Sequence, residues 1–169
     1  VIMNPKLLEA LCTDFTAIYQ CDLIQDTIDI IRFDKGTHTD MAIQTMDSYT
    51  LHSFSKMIQY FENLYIQDSA QESIWNEFGP QALMEKLKHT PIYCYHCRLK
   101  PNQNGNEYHS FRAIKLNESK SSFEVVIGVK VMDDLMEKQY KNEKRLQQLL
   151  EEKKHQKLSL IHISEPTRL

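Results

Sequence analysis

Glycine is scarce in this chain, four residues in 169, and that scarcity excludes a glycine-rich loop of the kind that cradles phosphates. Cysteine is scarce too. Four cysteines, Cys12, Cys21, Cys94 and Cys97, do not amount to a disulfide scaffold in a chain of this length, so reduced thiols and a cytoplasmic setting are expected. Neither sign of charge dominates: the net charge is −3, which offers no basic field for nucleic acid or an anionic membrane. Long apolar runs are also missing. Val125 to Val129 falls far short of the ~20 residues of a membrane span, and Val1 to Lys6 lacks the basic-then-apolar layout of a secretory signal. The chain opens on Val, so its true start is open unless Met3 supplies it.

What is present fits a soluble domain. Hydrophobic residues make up 41% and charged residues 25%, inside the range of globular proteins and outside that of disordered ones. Residues 1–131 carry 12 basic against 16 acidic side chains, so the body is mildly acidic. The length has room for one ordinary domain and a modest appendage.

Along the chain, Asn4 to Phe15 reads as a helix, with Asn4 as cap, Pro5 at the first helical position, and Leu7, Leu8, Leu11 and Phe15 at helical spacing. Two β-type runs follow, Ala17 to Leu23 and Thr27 to Phe33, joined by Ile24-Gln25-Asp26 as a hairpin link without the usual glycine. Asp34 to Asp47 reads as a polar connection. Phe54, Met57, Ile58, Phe61, Leu64 and Tyr65 then recur at three- and four-residue steps, giving one apolar helix face. A second short helix carries Ile74, Trp75 and Phe78 and is interrupted by Gly79-Pro80. A third, Ala82 to Lys88, ends before Pro91.

Three strands complete the body. Tyr93, Tyr95, Cys97 and Leu99 alternate with Cys94, His96, Arg98 and Lys100, so the first set faces the core. Asn102 to Asn106 has hairpin-loop chemistry around Asn-Gly, and Tyr108 to Leu116 is the return strand. Phe123, Val125, Ile127, Val129 and Val131 form the clearest half-buried strand, with Gly128 marking a close approach to the backbone. This order of elements predicts an α+β fold: one five-stranded antiparallel sheet, helices inserted between strands 2 and 3, and a long C-terminal helix.

The local wording adds a resemblance. Asp14-Phe15-Thr16-Ala17-Ile18-Tyr19-Gln20-Cys21-Asp22-Leu23 resembles the opening phrase of PAS-like input domains in bacterial hybrid sensor histidine kinases and GGDEF diguanylate cyclases. In that phrase an acidic residue and an aromatic lead into a Tyr-x-x-Asp-Leu strand. Phe123 to Asp134, with Ile127-Gly128-Val129 at its centre, resembles their final strand and exit. Tyr65-Ile66-Gln67-Asp68 is similar to their His-Pro-Glu-Asp-like step, departing from it at Ile66 and Gln67. The resemblance spans about residues 8–155 and implies a two-component or cyclic-dinucleotide signalling protein, cut where the exit helix should lead into a catalytic output domain. An unrelated α+β domain with the same strand order is the plain alternative.

The exit helix is expected over Met132 to Lys157, a stretch without Gly or Pro and half charged. Met132, Leu135, Gln139, Asn142, Leu146, Leu149 and Lys153 define a heptad seam with Met132, Leu135, Leu146 and Leu149 as its apolar dimerisation positions. A homodimer through this helix is the first expectation; a solvated helix packed on its own domain is the second. Leu158 to Arg168 matches the in-frame translation of a common transposase sequencing adapter. The expected division is therefore 1–131 sensor domain, 132–157 signalling helix, and 158–169 non-native tail.

No constellation here carries catalysis, so no enzyme activity is expected of this fragment. Cys94-Tyr95-His96-Cys97 has a metal-ligand spacing, but on a strand an odd offset sends the two thiols to opposite faces, so structural cysteines and no metal are expected. The resembling fold's flavin chemistry needs an Asn-Cys-Arg-Phe-Leu-Gln phrase that is absent. A haem would need His52 or His89, both read as surface residues, so no cofactor is expected. Asp133-Asp134 and Glu151-Glu152 read as solvated charges. For a small-molecule ligand the place to look is between the sheet and the inserted helices, where Tyr19, Tyr93 and Tyr95 face inward with hydroxyls; alternatively they only fill the core. Two functions remain: a sensor or relay domain, or a ligand-free dimerisation scaffold.

Overall fold

The computed structural model describes residues 13–68 and 72–164, the side chains of 162–164 excepted. The chain divides into two compact units, Val1–Val131 and Met132–Leu169. In the first, five strands, β1 (Ala17–Asp22), β2 (Thr27–Phe33), β3 (Ile92–Arg98), β4 (Tyr108–Glu118) and β5 (Phe123–Val131), form one antiparallel sheet in the order β2-β1-β5-β4-β3. Five helices lie between β2 and β3: α1 (His38–Thr45), α2 (Ser48–His52), α3 (Phe54–Tyr65), α4 (Ile74–Phe78) and α5 (Pro80–His89). The α+β class expected from the sequence is the observed one.

Alternation sets the inner face. Tyr19 is paired with Ile127, Ile127 with Ala113 and Ala113 with Tyr93, so these four residues form one row across four strands on the side that the helices cover. A second row joins Phe111 to Val129 and Tyr95. Phe54, Met57, Phe61, Ile74, Phe78, Leu83 and Leu87 close over these rows and share one core with them. Phe54, Leu83 and Leu87 lose all their exposure, so truncating any of them to Ala costs about 2–5 kcal/mol.

The outer face meets a different neighbour. A Cβ built on Gly128 would lie 2.5 Å from Phe15 Cδ1, and the Arg112 guanidinium stands 5.9 Å from the same ring. Gly128 is therefore glycine because an aromatic ring occupies the space above it, the close approach its mid-strand position suggested. The helix expected over Asn4–Phe15 falls on residues that for the most part lie outside those described; within them, Thr13 and Asp14 form a turn.

The hairpin link needs no glycine, because Asp26 takes the left-handed conformation at φ 57°, which Asp and Asn tolerate better than other side chains. The same residue organises the insertion. Its carboxylate accepts from Ser53 Oγ, Ser55 N and Ser55 Oγ, each at 2.7 Å, while its carbonyl receives Phe54 N at 3.3 Å. One side chain thus fixes where α3 starts relative to the β1–β2 turn.

Three features differ from expectation. Asp34 to Asp47 is not a plain connection, since it holds α1, and Asp47 caps α2 by accepting from Thr50 N at 2.7 Å. α5 begins at Pro80, whose fixed φ suits a first helical position. Leu64, counted on the apolar face of α3, is 44% exposed, because the buried stripe runs Phe54, Met57, Phe61, Tyr65 and turns Leu64 away.

The second unit is one helix, α6 (Asp134–Ser164). Met132 precedes it, so the seam loses its first position. Asp133 is exposed, as read from the sequence, and also caps the helix, with Oδ1 accepting from Met136 N at 2.8 Å. The helix continues through Leu158 to Ser164, past the expected end at Lys157, since Leu, Ser and Ile there are all compatible with helix. Among the described residues no helix is long and apolar enough to cross a membrane.

Asp26→Ala removes the three carboxylate bonds and disfavours the left-handed turn. It is expected to lower unfolding free energy by about 2–3 kcal/mol, read from the urea midpoint of the Asp26→Ala variant against the parent chain.

Candidate functional site

Four buried polar residues, Thr37, His38, Thr39 and His109, gather where α1 meets the sheet. Local sequence places them there. Gly36 turns the chain at φ +81°. Thr37 then caps α1 by accepting from Asp40 N at 3.3 Å, and Asp40 Oδ2 reaches back to Gly36 N at 2.7 Å. This reciprocal arrangement is a variant of the capping box. It leaves His38 and Thr39, the first two residues of the helix, pointing into the domain, 4% and 2% exposed.

His38 Nε2 lies 2.6 Å from the carbonyl of Lys100. A carbonyl only accepts, so Nε2 carries the proton and Nδ1 the lone pair. His109, on the inner face of β4 and 1% exposed, faces it with ring centroids 5.0 Å apart, edge to face. Its Nδ1 donates to the Glu107 carbonyl at 2.9 Å, which fixes the opposite tautomer and leaves the lone pair on Nε2. Tyr65 closes the group from α3, its ring 4.8 Å from that of His38. Burial holds the His38 pKa below the ordinary imidazole range, with the Lys100 carbonyl offsetting part of the effect. For His109, burial and the neighbouring His38 bring it down to about 4. Both rings are neutral at pH 7.

The three inward tyrosines occupy separate places. Tyr19 is buried and hydrogen-bonded to the Thr39 hydroxyl, which ties β1 to α1. Tyr93 is half-buried at the sheet edge, where its hydroxyl bonds Glu77 and receives Lys86 Nζ at 2.8 Å. Tyr95 lies 6.4 Å from the Phe78 ring centroid and bonds the Ser73 backbone. Burial pushes all three hydroxyls above the usual tyrosine range, so they act as neutral hydrogen-bonding groups.

Of these tyrosines, Tyr19 borders the cavity enclosed by Phe54, Met57, Phe61, Phe78 and Ile127. That space is about 20 Å³, about enough for one ordered water. A second, more polar cavity of about 10 Å³ lies among Thr16, Thr37, His38, Thr39 and His109. Neither holds a metabolite without movement of the helices. Cys94 is exposed and Cys97 buried, on opposite faces of β3 as their spacing required. His52 and His89 are both exposed.

His38 and His109 were absent from the sequence-based candidates. Thr37-x-x-Asp40 was the available signal for the first, since it marks a helix start inside a stretch read as connection. Parity with Phe111 and Ala113 was the signal for the second. Nothing local pairs the two, because residues 38 and 109 meet only through the fold.

The Tyr19–Thr39 bond is testable by a double-mutant cycle. Tyr19→Phe and Thr39→Val are each expected to cost about 1–2 kcal/mol by orphaning a buried hydroxyl, and the double variant less than their sum, as measured by chemical denaturation.

The chain matches no protein-family model and no curated protein.

Proposed function

We propose that Val1–Val131 is a PAS-like signal-input domain and that α6 carries its change of state to an output domain of the histidine kinase or diguanylate cyclase type. The observation that carries this reading is the strand order. β5 lies at the centre of the sheet, bonded to β1 on one side and β4 on the other, and its last residue directly precedes the second unit. Any repacking of the inserted helices on the inner face is felt by β5 through Ile127 and Val129. A signal requires that the stimulus interact differently with two states, and a central strand that carries core residues and is bonded to β1 and β4 is where such a difference leaves the domain.

Homodimerisation through α6 belongs to the same proposal. Leu135, Leu146 and Leu149 are 66%, 58% and 54% exposed, and their spacing is that of a heptad seam interrupted by Gln139, Asn142 and Lys153. Polar seam positions fix register and partner number at a cost in stability. The pairing expected is therefore parallel and weak. With Met132 ahead of the helix, the apolar seam begins at Leu135.

A second reading is favoured by the size of the core cavity. At about 20 Å³ it accommodates no metabolite as packed, which suits a domain that binds no ligand and serves as a dimerisation scaffold. Thermal-shift screening separates the two. A ligand at 100 times its dissociation constant adds about 2.7 kcal/mol, whereas a scaffold shows no shift across a broad library.

Two outcomes test the relay. Sedimentation equilibrium of the whole chain is expected to give a concentration-dependent dimer that Leu146→Glu with Leu149→Glu returns to monomer; a parent chain that is monomeric throughout sinks the seam. Joined to a histidine kinase output through α6, the domain is expected to set autokinase activity in a way that four inserted helical residues disrupt and seven restore. Activity indifferent to both insertions would overturn the relay.

A further inference from the structure

We propose that His38 and His109 form an acid-sensitive latch that holds α1 against the sheet at neutral pH and releases it as the pH falls. The geometry is that of a contact between two neutral rings, neither able to gain a proton without losing something. His38 already spends its one N–H on the Lys100 carbonyl at 2.6 Å, and His109 spends its own on the Glu107 carbonyl at 2.9 Å. A second proton on either ring is a buried cation whose nearest ring neighbours are the other imidazole at 5.0 Å and, for His38, Tyr65 at 4.8 Å.

The groups around the pair do not compensate. On the α1 side, Asp34 is engaged by Arg32 at 3.5 Å, Asp40 by Gly36 N and Gln44, and Lys35 adds positive charge. From α3 come the phenol rings of Tyr60 and Tyr65. From β1 comes Tyr19, held by Thr39. From the β3–β4 side, the buried Cys97 thiol stands opposite His109 and Lys100 contributes its carbonyl, while the Glu107 carboxylate is taken by Arg98 at 3.2 Å and Gln67 at 2.7 Å. Among the described residues no carboxylate bonds either imidazole, so the protonated state has no partner to move to inside the closed domain.

The direction follows from linkage. An imidazole free of the fold titrates near 6.5, and His109 in the closed domain near 4. Between those values the open form binds more protons than the closed one, so closure is favoured fully above about pH 6.5 and loses ground as the pH drops toward 4. One proton taken up on opening makes the open fraction grow about tenfold per pH unit in that window. Opening also breaks the Tyr19–Thr39 bond and uncovers the smaller cavity that Thr37, His38 and Thr39 line. His109 stands opposite Val131 in the β4–β5 ladder, so the event occurs at the strand end that precedes α6. As the stimulus of the relay proposed above, the latch rests on that reading; as a property of α1 it does not.

Amide hydrogen exchange tests it without an output domain, and so separately from the kinase chimera. After correction for intrinsic rates, the opening constant of residues 40–45 is expected to rise about tenfold per pH unit below 6.5, while the amides of Val125 and Ile127 keep theirs. In His38→Gln with His109→Asn, which keep an N–H at the Nε2 and Nδ1 positions without a titratable ring, the α1 constant is expected to be flat. A flat parent chain, or a slope that persists in the double variant, overturns the latch. Should the double variant not fold, titration of the His109 ring by NMR in the parent chain decides. A midpoint well below 6.5 that coincides with the rise in α1 opening supports the latch, and a midpoint at 6.5 or above overturns it.

Discussion

The inner face of the sheet is apolar from β2 to β3, and a single insertion between those two strands has to cover it. Everything else in the domain follows from that demand. The row Tyr19, Ile127, Ala113, Tyr93 and the row Val129, Phe111, Tyr95 are removed from water only if α3, α4 and α5 lie across them with Phe54, Phe61, Phe78, Leu83 and Leu87 directed inward. Burial of that surface is the dominant favourable contribution to folding. It is also non-directional, and by itself leaves the helices free to slide over the sheet.

Position comes from a few polar ties. Asp26 holds the start of α3 to the first hairpin through Ser53 and Ser55, and Glu62 accepts the first amide of α4 at 2.6 Å. Lys100 N reaches the carbonyl of Tyr65 at 2.7 Å, joining the end of α3 to the segment after β3. His38 bonds the carbonyl of that same Lys100. These contacts are directional, and each is expensive to break because a buried group is left without a partner. The apolar rows make the layer and the polar ties choose its register.

The two imidazoles differ from the other ties in one respect. Asp26 and Glu62 tie through carboxylates, whereas the ordinary pKa of an imidazole lies inside the pH range of a cell. A tie made from histidine is therefore the one whose strength changes under mild acid. The core cavity has room for about one water, too little for a metabolite unless the helices move. The proposed relay and the proposed latch meet where Val131, the last residue of β5, stands opposite His109 on antiparallel β4.

Five strands, their boundaries at Thr27–Phe33 and Phe123–Val131, the inward set on β3, the opposite exposures of Cys94 and Cys97, and the short broken helices around Gly79-Pro80 were all legible in the residues, because alternation, helical spacing and turn chemistry are local. The Asp34–Asp47 stretch hid α1, since a polar helix capped by Thr37 has no apolar stripe to announce it, and its buried face is built from His38, Thr39 and Ala42. Leu64 looked like core by spacing and is not, because where the α3 stripe points depends on how α3 is rolled on the sheet. Sequence alone determined which residues alternate and which segments carry an apolar helical stripe. Only the tertiary structure decided that Asp26 would meet Ser53 and Ser55, that Phe15 would lie over Gly128, and that two histidines 71 positions apart would meet edge to face. Such meetings are set by strand order and helix placement, and no spacing within a segment encodes them.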